Sequence, residues 1–125
     1  MLIDVVYSDE NGVSHFGSVE YELFDNGSIG SISNVVEVNK VMFRTTPAGY
    51  DYPWHVTPRR QFVFVLDGAV VIEVGDGEKR QYNDGDVFLL LDTTGDGHNS
   101  HDPIDVVRYS SFLGVSDNQT FDIIK

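Results

Sequence analysis

The run Gln61-Phe62-Val63-Phe64-Val65-Leu66-Asp67-Gly68-Ala69-Val70-Val71-Ile72-Glu73-Val74-Gly75 constrains this chain more than any other stretch. Two short apolar segments meet at Asp67-Gly68. Asp-Gly between hydrophobic runs specifies a tight hairpin, because glycine accepts the positive φ that such a turn demands. Alternation then puts Gln61, Val63 and Val65 on one face and Phe62, Phe64 and Leu66 on the other. Both faces carry apolar side chains, so this sheet has to be covered on both sides.

The same grammar continues along the chain. Gly75-Asp76-Gly77 and Asn83-Asp84-Gly85 are turn signals that separate expected strands at 60–66, 69–74, 79–82 and 87–91. Upstream, residues 2–7 read as a strand. Val19, Tyr21 and Leu23 alternate with polar residues as in a half-buried strand. Residues 25–30 read as a polar loop. Residues 34–46 form a longer strand, with Val36, Val38, Val41 and Phe43 expected to face inward and a phase shift near Lys40 that marks a bulge. Residues 47–53 and 92–103 read as loops, 106–113 as a strand, and 118–125 as either a strand or a short helix. Helical periodicity is scarce. Many short strands with frequent turns predict an all-β sandwich or barrel, and 125 residues fit a single domain over 1–125.

Composition narrows the function. Twenty acids against eight bases give a net charge of -12, which repels phosphate backbones and anionic lipid surfaces, so neither nucleic acid nor membrane is expected as a partner. The chain has no cysteine, which excludes disulfides, thiolate nucleophiles and cysteine-ligated zinc. Asp4 interrupts the apolar run after Met1 and no basic region precedes it, so no signal peptide is expected and the protein is placed in the cytoplasm. A nucleophile elbow, a lysine-bearing phosphate loop and an H-E-x-x-H zinc motif are all missing.

The chemistry concentrates around two histidines. Gly49, His55, Thr57, Gln61 and Gly68 are separated by five, one, three and six residues. This spacing resembles the first motif of the cupin superfamily, in which Gly, His, His, Glu and Gly occupy those positions. The second cupin motif begins at a glycine, runs through a strand to a Pro-x-Gly turn and ends in a histidine. Gly85, the strand that follows it and His98 resemble that motif, and the string Asp92-Thr93-Thr94-Gly95-Asp96-Gly97-His98 is similar to a subgroup of small single-domain cupins. The resemblance implies a double-stranded β-helix, or jelly roll, with a metal or small-molecule site at its open end. There are departures. Thr57 stands at the second histidine position, Gln61 at the glutamate position and Leu91 at the proline, and His98 falls two residues later than strict spacing allows.

The resemblance therefore carries over His55 and His98 as metal ligands, with Gln61 offering a neutral carbonyl oxygen and His101 as a further candidate. Imidazoles suit zinc, nickel and iron, but without an anionic ligand such a site is expected to be weak. The alternative is that His55, Gln61 and His98 form only a hydrogen-bonded polar group. An aspartate among Asp92, Asp96 and Asp102 is a candidate to orient His98. Trp54, Thr57 and Arg59 are the candidate ligand-binding residues. Tyr50, Tyr52 and Trp54 make an aromatic rim, and Arg59 suits the carboxylate of a small organic acid unless it is paired with one of the chain's many acids. His15 reads as a surface or structural histidine. Phe62, Phe64, Phe88 and Leu90 require covering, by the N-terminal strands or by a second subunit, and a homodimer is expected. The functional classes that remain are an enzyme acting on a small molecule, a non-catalytic sensor built on the same pocket, and an accessory protein that binds a partner through its outer face.

Overall fold

A computed structural model describes residues 1–125. The turn at Asp67-Gly68 forms, with Gly68 at φ 100°, but the expected hairpin does not: β7 (Gln61–Asp67) and β8 (Val70–Glu73) enter different sheets and do not pair, because the chain crosses at this corner from one wall of the barrel to the other. The earlier strands are β1 (Leu2–Ser8), β2 (Ser14–Glu20), the two-residue β3 (Phe24–Asp25) and β4 (Ser31–Ile32), β5 (Val38–Thr46) and β6 (Asp51–His55). After β8 come β9 (Lys79–Tyr82), β10 (Val87–Leu90), β11 (His98–His101) and β12 (Arg108–Val115). The architecture is all-β, with one short 3-10 turn at Gly27–Ile29 inside the small β3–β4 hairpin. No helix is long and apolar enough to cross a membrane.

Two sheets make the barrel. The larger has the order β2-β1-β10-β7-β12-β5 and the smaller β6-β11-β8-β9. All pairings are antiparallel except β1 with β10, which run parallel. Between the sheets lies the main core, formed by Val6, Phe16, Val63, Val65, Val70, Ile72, Val74, Tyr82, Phe88 and Leu90. A second cluster, Val5, Val19, Phe62, Leu89 and Val115, lies on the outer face of the large sheet. Each fully buried valine or leucine here contributes about 1.5–3 kcal/mol relative to an exposed one. The outer cluster is covered from within the chain. Tyr21, Val36, Phe121 and Ile123 pack against it, and Ile124 bridges to Ser18.

Register settles which apolar residues share a face. Phe88 pairs with Val63 and Leu89 with Phe62, so Phe88 and Leu90 point into the barrel while Phe62 and Phe64 point out. Sequence grouping had placed these four together as needing a cover. They are instead split between two faces, and Phe62, Phe88 and Leu90 are buried without a second subunit.

Three further expectations are corrected. In β5 the inward residues are Met42 and Arg44, which pair with Phe112 and Ser110 of β12. Val41 and Phe43 face outward, and Phe43 is 80% exposed. A one-residue phase error exchanges every side chain between faces. β2 begins four residues before the alternating run that announced it, so His15 is a strand residue. Residues 118–125 form neither a regular strand nor a helix. They lie across the outer face, held by a single bridge at Ile124.

Candidate functional site

The open end of the barrel is built by β6 and β11, two strands whose sequences read as loop. They pair antiparallel, with His55 directly opposite His98 and a bulge between His98 and Ser100. Close approach of these strands depends on Gly97, whose φ is 74°. A Cβ there would fall within the His55 carbonyl group and 2.7 Å from the Val56 nitrogen. The glycine thus lets the two histidine backbones lie side by side, and the imidazole centroids are 4.6 Å apart.

The loop from Asp92 to Gly97 is braced by the β1–β2 turn. Ser14 is fully buried. Its hydroxyl donates to the Gly97 carbonyl at 2.7 Å and accepts from the Gly75 amide at 2.8 Å. The Asp96 amide donates to the Gly12 carbonyl, and the Ser8 hydroxyl donates to the Thr94 carbonyl. His98 is therefore anchored by backbone far from it in sequence.

Hydrogen bonding fixes how both rings present themselves. The His55 Nδ1–H donates to the Pro53 carbonyl at 2.7 Å, since a carbonyl can only accept. His98 Nδ1 lies 2.5 Å from Asp92 Oδ2, with both side chains buried. In each ring the neutral tautomer leaves Nε2 as a free acceptor. Burial, the nearby His98 and the Arg44 charge lower the His55 pKa, which keeps its ring neutral at pH 7. Gln61 is buried. Its amide nitrogen donates to the Thr57 hydroxyl at 3.2 Å, and its Oε1 has no partner. An unpartnered buried oxygen costs about 1–3 kcal/mol unless something fills its lone pairs. Thr57 in turn donates to the Arg59 carbonyl, so it acts as a strut beneath Gln61.

His55, Gln61, His98, Thr57 and Arg59 line one cavity of about 600 Å³. Its floor is Val63, Val65, Val70, Ile72, Phe88 and Leu90. Tyr50, Tyr52, Arg44 and Phe112 stand around its mouth, with the Tyr52 ring edge-on to His55 at 4.2 Å. Two of the sequence candidates lie elsewhere. Trp54 and His101 line a separate depression on the outer face of the small sheet, with Asp51, Glu73, Lys79 and Asn99. Strand alternation explains both. Trp54 neighbours inward-facing His55, and on β11 the inward residues are His98 and Ser100, leaving Asn99 and His101 outside.

Arg44, Ser100 and Arg108 were not anticipated, whereas Tyr50 and Tyr52 of the expected aromatic rim do line the cavity. Arg108 is buried and pairs with Asp102 at 3.0 Å, so Asp102 serves that arginine while Asp92 serves His98. For Arg44, the correct phase of β5 was the missing signal. No group of three or more histidine, cysteine, aspartate or glutamate side chains is arranged to hold a metal. Two imidazoles and one amide share the cavity.

Residues 41–98, from β5 to the second site histidine, match the family model described as a cupin domain. Over that stretch the chain carries a cupin domain. Among solved structures, the protein is similar to a cupin domain from Bordetella pertussis Tohama I, at 19% identity and a TM-score of 0.48, over 66% of this chain and 90% of that one. It is also similar to a protein from Neisseria meningitidis at 12% identity and a TM-score of 0.43, over 78% of this chain and 84% of that one. No curated protein matches the sequence.

Proposed function

We propose that this chain is a soluble cytoplasmic protein that binds a small molecule in the barrel cavity, beside a weak divalent transition-metal site formed by His55 Nε2, His98 Nε2 and Gln61 Oε1. The observation that carries this reading is the set of unpartnered acceptors. Both Nδ1 atoms are engaged and Gln61 Oε1 is buried with no partner, so three neutral donor atoms line one cavity. Such a donor set fits zinc, nickel or iron(II) in kind. Lacking an anion, it offsets little of the ion's desolvation. A bound ion would act there as a Lewis acid on a ligand oxygen. The side chain of Asp92, hydrogen-bonded to His98 Nδ1, would fix the orientation of that ring as a ligand.

Titration calorimetry with zinc, nickel and iron(II) tests this on the chelator-treated protein and on Gln61→Glu. The parent is expected to bind weakly and to release metal to chelator. Gln61→Glu is expected to bind about tenfold tighter or better, since about 1.4 kcal/mol is one decade. Equal affinities would mean that position 61 does not face the ion. With Gln61 in place of a carboxylate, the donor set lacks the two-His-one-carboxylate arrangement of a catalytic iron site, which favours a binding or sensing role. A homodimer remains our proposal for the assembled state, through the outward-facing Val41, Phe43, Leu66 and Tyr109. Sedimentation as a monomer at micromolar concentration would remove it.

A further inference from the structure

The cavity's charge runs against that of the whole chain. With twenty acids and eight bases overall, the lining nevertheless contains Arg44, Arg59 and Arg108 and no carboxylate. Arg108 is neutralised by Asp102. Arg44 and Arg59 form no salt bridge. Arg59 reaches only the Met42 sulfur, at 3.6 Å, and the Arg44 guanidinium lies 5.2 Å from the Tyr50 ring centre and 5.9 Å from that of Phe112. In a chain this acidic, two arginines at one cavity mouth without a carboxylate partner are conspicuous. Their planar forks match carboxylate geometry; Arg59 is half-buried, and Arg44, though exposed, lies against two aromatic rings. Below them the floor is wholly aliphatic and aromatic, so the same cavity offers a cationic rim and an apolar body site.

We infer that the ligand is an amphipathic monocarboxylic acid, its carboxylate held between Arg44 and Arg59 and its hydrocarbon body laid on Val63, Val65, Ile72, Phe88 and Leu90. This rests on the barrel cavity being the binding site and names the class of molecule that fills it. The volume suits a ligand of this kind, because small-molecule pockets run from about 300 to 1,000 Å³. Recognition by the arginines requires no metal.

The test is calorimetry on the full chain in the presence of chelator, with butyrate, octanoate and phenylacetate, and with octanamide as the uncharged match for octanoate. Octanoate or phenylacetate is expected to bind at least about tenfold tighter than octanamide, and butyrate more weakly than octanoate because it covers less of the floor. Arg44→Gln and Arg59→Gln are each expected to weaken acid binding about tenfold and to leave octanamide unchanged. Both side chains sit at the mouth, so unaltered thermal melting shows that the variants fold. Raised salt is expected to weaken the acid alone. Equal binding of acid and amide, or acid binding untouched in both variants, overturns the arginine assignment while the cavity reading stands. Acid binding that appears only after zinc is added also overturns it, in favour of recognition by the ion. Failure of every acid and of octanamide, with zinc still binding, overturns the inference and leaves the metal site. Failure of all of these and of zinc removes the cavity reading itself.

Discussion

Gly97→Ala should separate the two strands that make the site, and its cost follows from the geometry. Gly97 and Gly49 have nearly the same left-handed backbone, φ 74° and 77°, but opposite surroundings. Alanine in that conformation costs about 1–2 kcal/mol. Part of this is returned, about 0.4–1 kcal/mol, because alanine also restricts the unfolded chain. At Gly49 nothing lies within 4 Å of the added Cβ, so the net loss stays near 1 kcal/mol. At Gly97 the added atom meets the backbone of His55 and Val56, which cannot rotate away as a side chain can. β11 has to lift off β6, giving up two or three ladder hydrogen bonds worth about 1 kcal/mol each. The expected total for Gly97→Ala is about 3–5 kcal/mol, in the range that marks a specific structural failure. For a domain of this length it lowers Tm by roughly 10–20 °C, against less than about 5 °C for Gly49→Ala. Thermal and urea unfolding measure both. Trp54, the chain's single tryptophan, lies on β6 and reports the strand's displacement by its emission. If the two alanine variants melt within about 1 kcal/mol of each other, β6 and β11 do not approach as described and the paired histidines lose their structural basis.

Two other perturbations address the side chains. Asp92→Asn keeps an acceptor for His98 but removes the buried charge. It is expected to cost about 1–3 kcal/mol and to weaken zinc binding about 10- to 100-fold, with Asn99→Ala on the outer face as the unaffected control; calorimetry decides between them. His15 places Nε2 2.7 Å from Asp9 Oδ2 and Nδ1 3.0 Å from Asp76 Oδ2, so its pKa is raised and that of Asp9 lowered, chiefly by the bond between them. The raised histidine stabilises the fold fully below its ordinary pKa of 6.5 and progressively less as pH climbs through the folded value; the lowered aspartate contributes above 3.8 and fades as pH falls through its folded value. Urea unfolding across pH 5 to 9 is therefore expected to show stability falling on the alkaline side, and His15→Gln to flatten that slope; an unchanged slope would mean the ring is not held charged by its two carboxylates.

Much of the frame was legible because period-two alternation and turn glycines are strong local signals. β7, β8, β9 and β10 stand within a residue or two of where hydrophobic runs and Gly68, Gly77 and Gly85 put them. The spacing from Gly49 to Gly68 likewise pointed to His55 and Gln61, which share the cavity with His98. The site's own strands were hidden. β6 contains Pro53, which cannot donate to a ladder, and β11 is His98-Asn99-Ser100-His101, polar at every position. Their pairing is stabilised by tertiary contacts around Gly97 and Ser14, which no local pattern encodes. Arg44 was missed for a related reason. Val41 and Phe43, the β-branched and aromatic residues of β5, lie on the exposed face, while Met42 and Arg44 face the cavity, so hydrophobicity named the wrong side.

The order of strands in the large sheet also fixes a sequence of assembly. β5 pairs with no strand but β12, and β12 lies between β5 and β7. During synthesis, then, the segment bearing Met42 and Arg44 has no sheet to join until the chain has been made through Val115. β1, the first strand to emerge, likewise waits for β10 to complete its parallel partnership. Closing such distant pairs late is slow, because loop-closure entropy is spent before the contacts that reward it form. The histidines and the apolar floor can gather while the C-terminal strand is still missing; the arginine-bearing wall is the last part of the cavity to be put in place.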